Sequence, residues 1–135
     1  MIEKYLCIEP SGKLRWIELE RCPRHNFVYD GEEVIQLSDL NPVIGCEWVE
    51  LVYSILPDIV FCVDECGKIK FPMQPLNPLA SRFYGGTKFG DCIHGPAVFF
   101  SQRPLMPSGE MDLFPLSPAQ ENLVSMVLGV DLPEK

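Results

Sequence analysis

The sequence predicts an α+β domain built on a curved antiparallel sheet, with a central meander, a C-terminal helix and one or two short helices. Short apolar runs bounded by turn residues recur along the chain, the pattern of strands in a compact sheet. Thirteen prolines in 135 residues, about twice the usual share, favour short strands and defined turns over long helices. The clearest helical pattern, with start and stop signals, lies at the C-terminus.

The first strand is read over 4–9, and Pro10, Ser11 and Gly12 supply turn chemistry after it. Residues 14–19 return as a second strand and make a hairpin. The polar stretch 20–31, with Pro23 and Asp30-Gly31, reads as a loop or hairpin extension. Glu33 to Gln36 reads as a short strand. Ser38 is then placed to cap a short helix that turns Leu40, Val43 and Ile44 inward and stops at Gly45, with Pro42 in its first turn.

In the centre, residues 47–54 carry apolar groups on both alternating sets, which predicts an interior strand. Leu56-Pro57-Asp58 turns the chain, and 59–63 comes back as its partner. Asp64 to Gly67 reads as a hairpin loop in which the glycine can take positive φ. Lys68 to Phe71 is expected to complete the meander as a third strand.

Asn77 is placed to cap a single helical turn that starts at Pro78. Gly85, Gly86 and Gly90 mark a loop, 93–101 reads as a buried strand, and 102–115 as an extended surface arm. Ser117, Pro118 and Gln120 form a capping-box signature for the last helix. Ala119, Leu123, Met126, Val127 and Val130 are expected as its inward stripe, and Gly129 as its end.

The length fits one domain, 1–135, and a chain this long buries roughly two-thirds of its unfolded surface without needing a metal or disulfide. With 47% hydrophobic and 22% charged residues, the composition is globular. The net charge of −8 argues against direct nucleic-acid binding and against an anionic membrane surface. An ordinary solvated acidic surface is the plainer reading, and an acidic face that mimics nucleic acid the sharper one. The longest nearly apolar stretch, Ile59 to Val63, is strand-sized, and no signal-peptide pattern opens the chain. Several of the six cysteines sit in apolar runs, so reduced thiols in a cytoplasmic protein are expected.

Four segments carry a family likeness. They are the Glu9-Pro10-Ser11-Gly12 turn, and the glycine-ended helix leading into Cys46-Glu47-Trp48-Val49-Glu50. The third runs from Val63-Asp64-Glu65-Cys66-Gly67-Lys68 to Pro75-Leu76-Asn77. The fourth is the Gly90, Asp91, Ile93, Gly95, Ala97, Phe99 stretch, and Leu116-Ser117-Pro118-Ala119-Gln120 matches too. On these the chain resembles the bacterial and phage "domain of unknown function 3846" family over most of its length. Residues 13–31 are extra to that pattern, so Cys22 and His25 fall outside the resemblance. The resemblance implies carriage on phages, plasmids and other mobile elements, and it brings no activity and no catalytic residue.

Asp91, Cys92 and His94 are the candidate catalytic set, because a Cys–His pair can supply an activated thiolate. Two residues apart on an extended stretch, Cys92 and His94 share a face, but nothing in the sequence orients the base, so packing is the plainer reading. Cys22 with His25, and Cys62 with Cys66, have ligand-like spacing. A structural zinc site needs about four ligands, so core packing suits Cys62 better. Gly85-Gly86-Thr87-Lys88 has the wrong residue order for a phosphate loop. Glu47 and Glu50 are expected on opposite strand faces, and Asp58, Asp64 and Glu65 in turns, which leaves no carboxylate pair.

Among the aromatics, Trp16 and Trp48 read as core, while Phe27, Tyr29 and Tyr84 are candidate binding residues. No cofactor is expected. The partner is expected to be another protein, and the function that of a non-enzymatic binding or regulatory accessory protein of a mobile element or gut-type bacterium. The alternatives are an acidic nucleic-acid mimic and a small Cys- or metal-dependent enzyme.

Overall fold

The computed structural model describes residues 1–23 and 32–135. Strands β1 (Ile2–Ile8), β2 (Leu14–Glu20), β5 (Val49–Tyr53), β6 (Ile59–Asp64), β7 (Ala97–Pro104) and β8 (Met111–Phe114) form one sheet. Its order is β2-β1-β7-β6-β5, every pairing is antiparallel, and β8 pairs the far part of β7. Phe99 faces Leu6 on one flank and Phe61 on the other, while Ser101 faces Ile59 and Phe114, so β1 and β8 share a flank of β7. Short strands β3 (Cys22–Pro23) and β4 (Glu33–Val34) pair separately. The helices are α1 (Asn41–Ile44), α2 (Pro78–Ser81) and α3 (Pro118–Leu128). The α+β architecture is as the composition and turn pattern predict.

Alternation along the strands splits the core in two. Leu6, Ile8, Phe61 and Phe99 face the side covered by Ala80, Phe83, Val124 and Leu128. Phe99 stacks on Phe61 and meets Phe83 edge-on, both at 4.9 Å between ring centres. Tyr5, Cys7, Val60, Cys62, Val98 and Phe100 face the other side, beneath Leu40 and Ile44. Each large side chain so buried contributes roughly 1.5–3 kcal/mol, which is why β6 and β7 can be apolar on both faces. Asn77 caps α2 by accepting from Ala80 N–H at 3.0 Å, and its amide donates to the carbonyls of Ile8 and Gly95 at 2.9 Å. The Ser117–Gln120 capping box starts α3, and Gly129 ends it with φ 75°.

Several expectations are corrected. Residues Gly67–Lys70 form a 3₁₀ turn, and the third strand of the meander is β7. A side chain at Gly67 would put its Cβ 2.9 Å from the His94 carbonyl oxygen, so this glycine serves close approach, with no positive φ. The arm expected over 102–115 is the end of β7 and all of β8. β5 is a sheet edge rather than an interior strand, and Trp48 is 70% exposed.

The helix expected from Ser38 to Gly45 is a 3₁₀ turn, Leu37–Leu40, continued by α1, with no side-chain cap. The Glu33–Gln36 strand shortens to β4, and the loop at 85–90 is a 3₁₀ turn, Gly85–Phe89. The strand expected from 93 starts at Ala97; His94 makes only an isolated bridge with Leu76. On α3 the inward residues are Val124, Val127 and Leu128, whereas Ala119, Leu123 and Met126, and Val130 beyond its end, are exposed.

Candidate functional site

On the face bearing Glu50 and Val52, the sheet is not covered by α3 near β5, and a groove of about 510 Å³ opens there. The pairing of Glu50 with Val63 sets both side chains toward it. The turn after β6 brings Cys66, Lys68 and Ile69 to its rim, and the segments around α2 and before β7 bring Tyr84, Cys92 and His94. Three of the candidate residues read from the sequence, Asp91, Cys92 and His94, thus stay together, and Tyr84 joins them.

The polar centre is a three-residue network. Tyr84 Oη donates to Asp91 Oδ2 at 2.9 Å, and Lys68 Nζ forms an ion pair with Asp91 Oδ1. The Lys68 ammonium, with Tyr84 second, holds the Asp91 carboxyl below the usual range. Bonding to Asp91 in turn raises both Lys68 and Tyr84. Each member is therefore held more firmly in its ordinary protonation state, the reverse of what a general base or an amine nucleophile requires.

His94 is anchored by structure. Its Nδ1 lies 3.2 Å from the Gln74 carbonyl oxygen, and since a carbonyl only accepts, Nδ1 carries the proton in that bond. Its ring meets Phe71 edge-on at 5.9 Å. Among the described residues, no hydrogen bond joins His94 to Cys92 or Cys66.

A second network fixes the turn. Asp64 accepts from Lys70 Nζ at 2.8 Å, Cys66 N–H at 2.9 Å and Gln74 Nε2 at 3.0 Å. Burial pushes its carboxyl up, but those three donors outweigh it and hold it below the ordinary value. Gln74 also donates to the Ile44 carbonyl at 3.0 Å, tying the turn to α1.

The Cys62–Cys66 pair divides between core and surface. Cys62 is fully buried, its thiol pushed up to about 12 by burial and by nearby Cys46, while Cys66 is exposed. Cys22 is half-buried on β3, and its suggested partner His25 lies outside the described residues, as do Phe27 and Tyr29. All six cysteines are free thiols. Among the described residues, no group of three or more His, Cys, Asp or Glu side chains is placed to hold a metal ion. Among them too, no helix is long and apolar enough to cross a membrane.

Sequence reasoning missed Lys68, read as part of a strand, and the exposed row Ile69, Phe71 and Met73 beside it. A run that alternates lysine with apolar residues looks like a half-buried strand, so nothing local marks these side chains as surface. No family model, no curated protein and no solved structure matches the chain.

Proposed function

We propose that the chain is a non-enzymatic, protein-binding accessory module, acting in the cytoplasm and carried by a mobile element. The setting is the one implied by its resemblance to the domain of unknown function 3846 family. The observation that carries the binding role is the short segment bordering the groove, where Ile69 is 83%, Phe71 62% and Met73 85% exposed. Large apolar side chains gathered on one turn are unfavourable in water unless a partner covers them, and methionine adapts to varied surfaces.

The groove beside them supplies polar contacts from groups already locked in their usual charge states, which suits recognition better than chemistry. Ion pairs spread over the molecule, from Arg15–Glu9 and Arg21–Asp112 to Lys70–Asp64 and Lys135–Glu121, favour this reading over a nucleic-acid mimic.

The test is in-cell cross-linking of the native chain beside an Ile69→Asp/Met73→Asp double variant of unchanged melting temperature. A protein partner cross-linked by the first and lost with the second is the expected outcome. Equal cross-linking by both would remove this surface from the account.

A further inference from the structure

Glu65 N–H donates to the Trp48 carbonyl at 3.0 Å, and Ser54 N–H donates to the Ile59 carbonyl at 3.1 Å. With the register Val49↔Asp64 to Tyr53↔Val60, antiparallel alternation makes residues 48, 50, 52 and 54 the ones bonded to β6. The peptide groups of Val49, Leu51 and Tyr53 therefore point out of the sheet. Among the described residues nothing bonds to them. The next outward group, Ile55 N–H, is already taken by the Phe83 carbonyl at 2.9 Å, so the open edge ends at Tyr53.

We propose that this edge pairs with the same edge of a second copy of the chain, antiparallel, about a two-fold axis at Leu51. This inference stands apart from the binding role of the 69–73 segment.

The register follows from the edge itself. An axis at Leu51 sets residue 49 against 53 of the other copy and 51 against 51, giving about six hydrogen bonds and using every open peptide group. An axis at Val52 would set Val49 against Ile55, whose N–H is spent. An axis at Glu50 would put the two Glu50 carboxylates directly opposite, which like charge disfavours. At Leu51, Glu50 instead faces Val52 of the other copy.

The side chains fit the same axis. Val49 and Leu51 lie on the face of the second core, half-buried at its margin, and Tyr53 is 69% exposed. Leu51 meets its counterpart on the axis, and two Tyr53–Val49 pairs flank it, the aromatic and β-branched pairing that stabilises sheets.

Opposite charges stand near the two ends of this edge. The register carries Glu47 of each copy alongside Ile55 of the other, and Ile55 shares a surface cleft with Lys88. Among the described residues, neither Glu47 nor Lys88 has an ion-pair partner of its own.

Sedimentation velocity of the full chain over a concentration series tests this. A reversible dimer is expected. Tyr53→Pro removes one outward N–H per copy and none of the β6 ladder, and it should weaken the dimer by about tenfold or more. Glu47→Lys and Lys88→Glu should each weaken it, and the two together should restore it. Melting curves identify any variant that fails to fold; if Tyr53→Pro does, the charge swap decides. The proposal is overturned if the native chain stays monomeric into the millimolar range, if a folded Tyr53→Pro chain dimerises unchanged, or if the double reversal does not rescue.

Discussion

The two edges of the sheet are protected very differently. On β2, Arg21 N–H donates to the Met1 carbonyl and Glu9 N–H to the Lys13 carbonyl, so residues 14, 16, 18 and 20 direct their peptide groups outward. That edge carries exposed Glu18 and Glu20, and the C-terminal tail lies against its Trp16. Trp16 Nε1 donates to the Pro133 carbonyl at 2.7 Å, Lys135 Nζ sits 4.7 Å from the indole centre, and Lys4 Nζ holds the Lys135 carbonyl at 2.7 Å. Charge and cover are the usual means of keeping an edge from pairing. β5 has one charged side chain, Glu50, and apolar neighbours exposed at both ends, Trp48 and Tyr53. The contrast teaches that this fold spends its protection on one side and leaves the groove side available.

The largest effect is expected where the guarded side is tied together. Arg21 is buried, donating to the Leu113 carbonyl at 2.6 Å, the Glu33 carbonyl at 3.0 Å and Asp112 at 2.7 Å. Arg21→Met strands a partly buried carboxylate and should cost about 3–5 kcal/mol in urea unfolding. A loss under about 1 kcal/mol would mean the guanidinium is not what joins β4 and β8 to the end of β2.

On the open side, Asp64→Asn should cost about 1–3 kcal/mol by weakening the grip on Lys70 and Cys66. The sign in pH follows from its lowered carboxyl. A group depressed in the folded state stabilises above its unfolded value, about 3.9, and that stability disappears as pH falls through the folded value. Native stability should therefore decline into the acid range, and the Asn variant should decline less steeply there. Parallel curves would show that Asp64 is not held as described.

A smaller loss, about 1 kcal/mol, is expected for Trp16→Phe, which removes the donation to Pro133. Limited proteolysis should then release the tail sooner, and unchanged cleavage would deny the tail its covering role. Smallest of all, Tyr53→Lys should shift stability by about 0.5 kcal/mol or less, because its side chain is exposed and its peptide group serves no internal bond. A large drop would make β5 part of the core rather than a free edge.

Most strands were legible because alternation and turn residues act locally. The partners were not. Lys68-Ile69-Lys70-Phe71 alternates like a strand, yet Asp64 draws Lys70 back and Gly67 lets the turn press on the His94 backbone, so the segment coils. β6 instead takes β7, whose apolar run satisfies both buried faces at once. Prolines 104 and 107 read as an arm, but Pro104 only ends β7, after Gln102 and Arg103 have paired with β8. On α3 both caps were readable while the stripe was misplaced, since apolar residues occur almost all round the helix and only tertiary contact selects Val124 and Leu128.

At the site, Asp91, Cys92 and His94 were visible as neighbours in sequence. Lys68 and Tyr84 reach Asp91 from distant segments, a meeting that no local pattern encodes.

Residue-resolved amide exchange over a dilution series probes the difference between the edges most directly. The amides of Glu50, Val52 and Ser54 should be protected at every concentration, and those on the outer side of β2 should be indifferent to it. The amides of Val49, Leu51 and Tyr53 should exchange freely when dilute and gain protection as the chain is concentrated. Protection of those three that never changes with concentration, or that never develops, would contradict the open and self-pairing β5 edge.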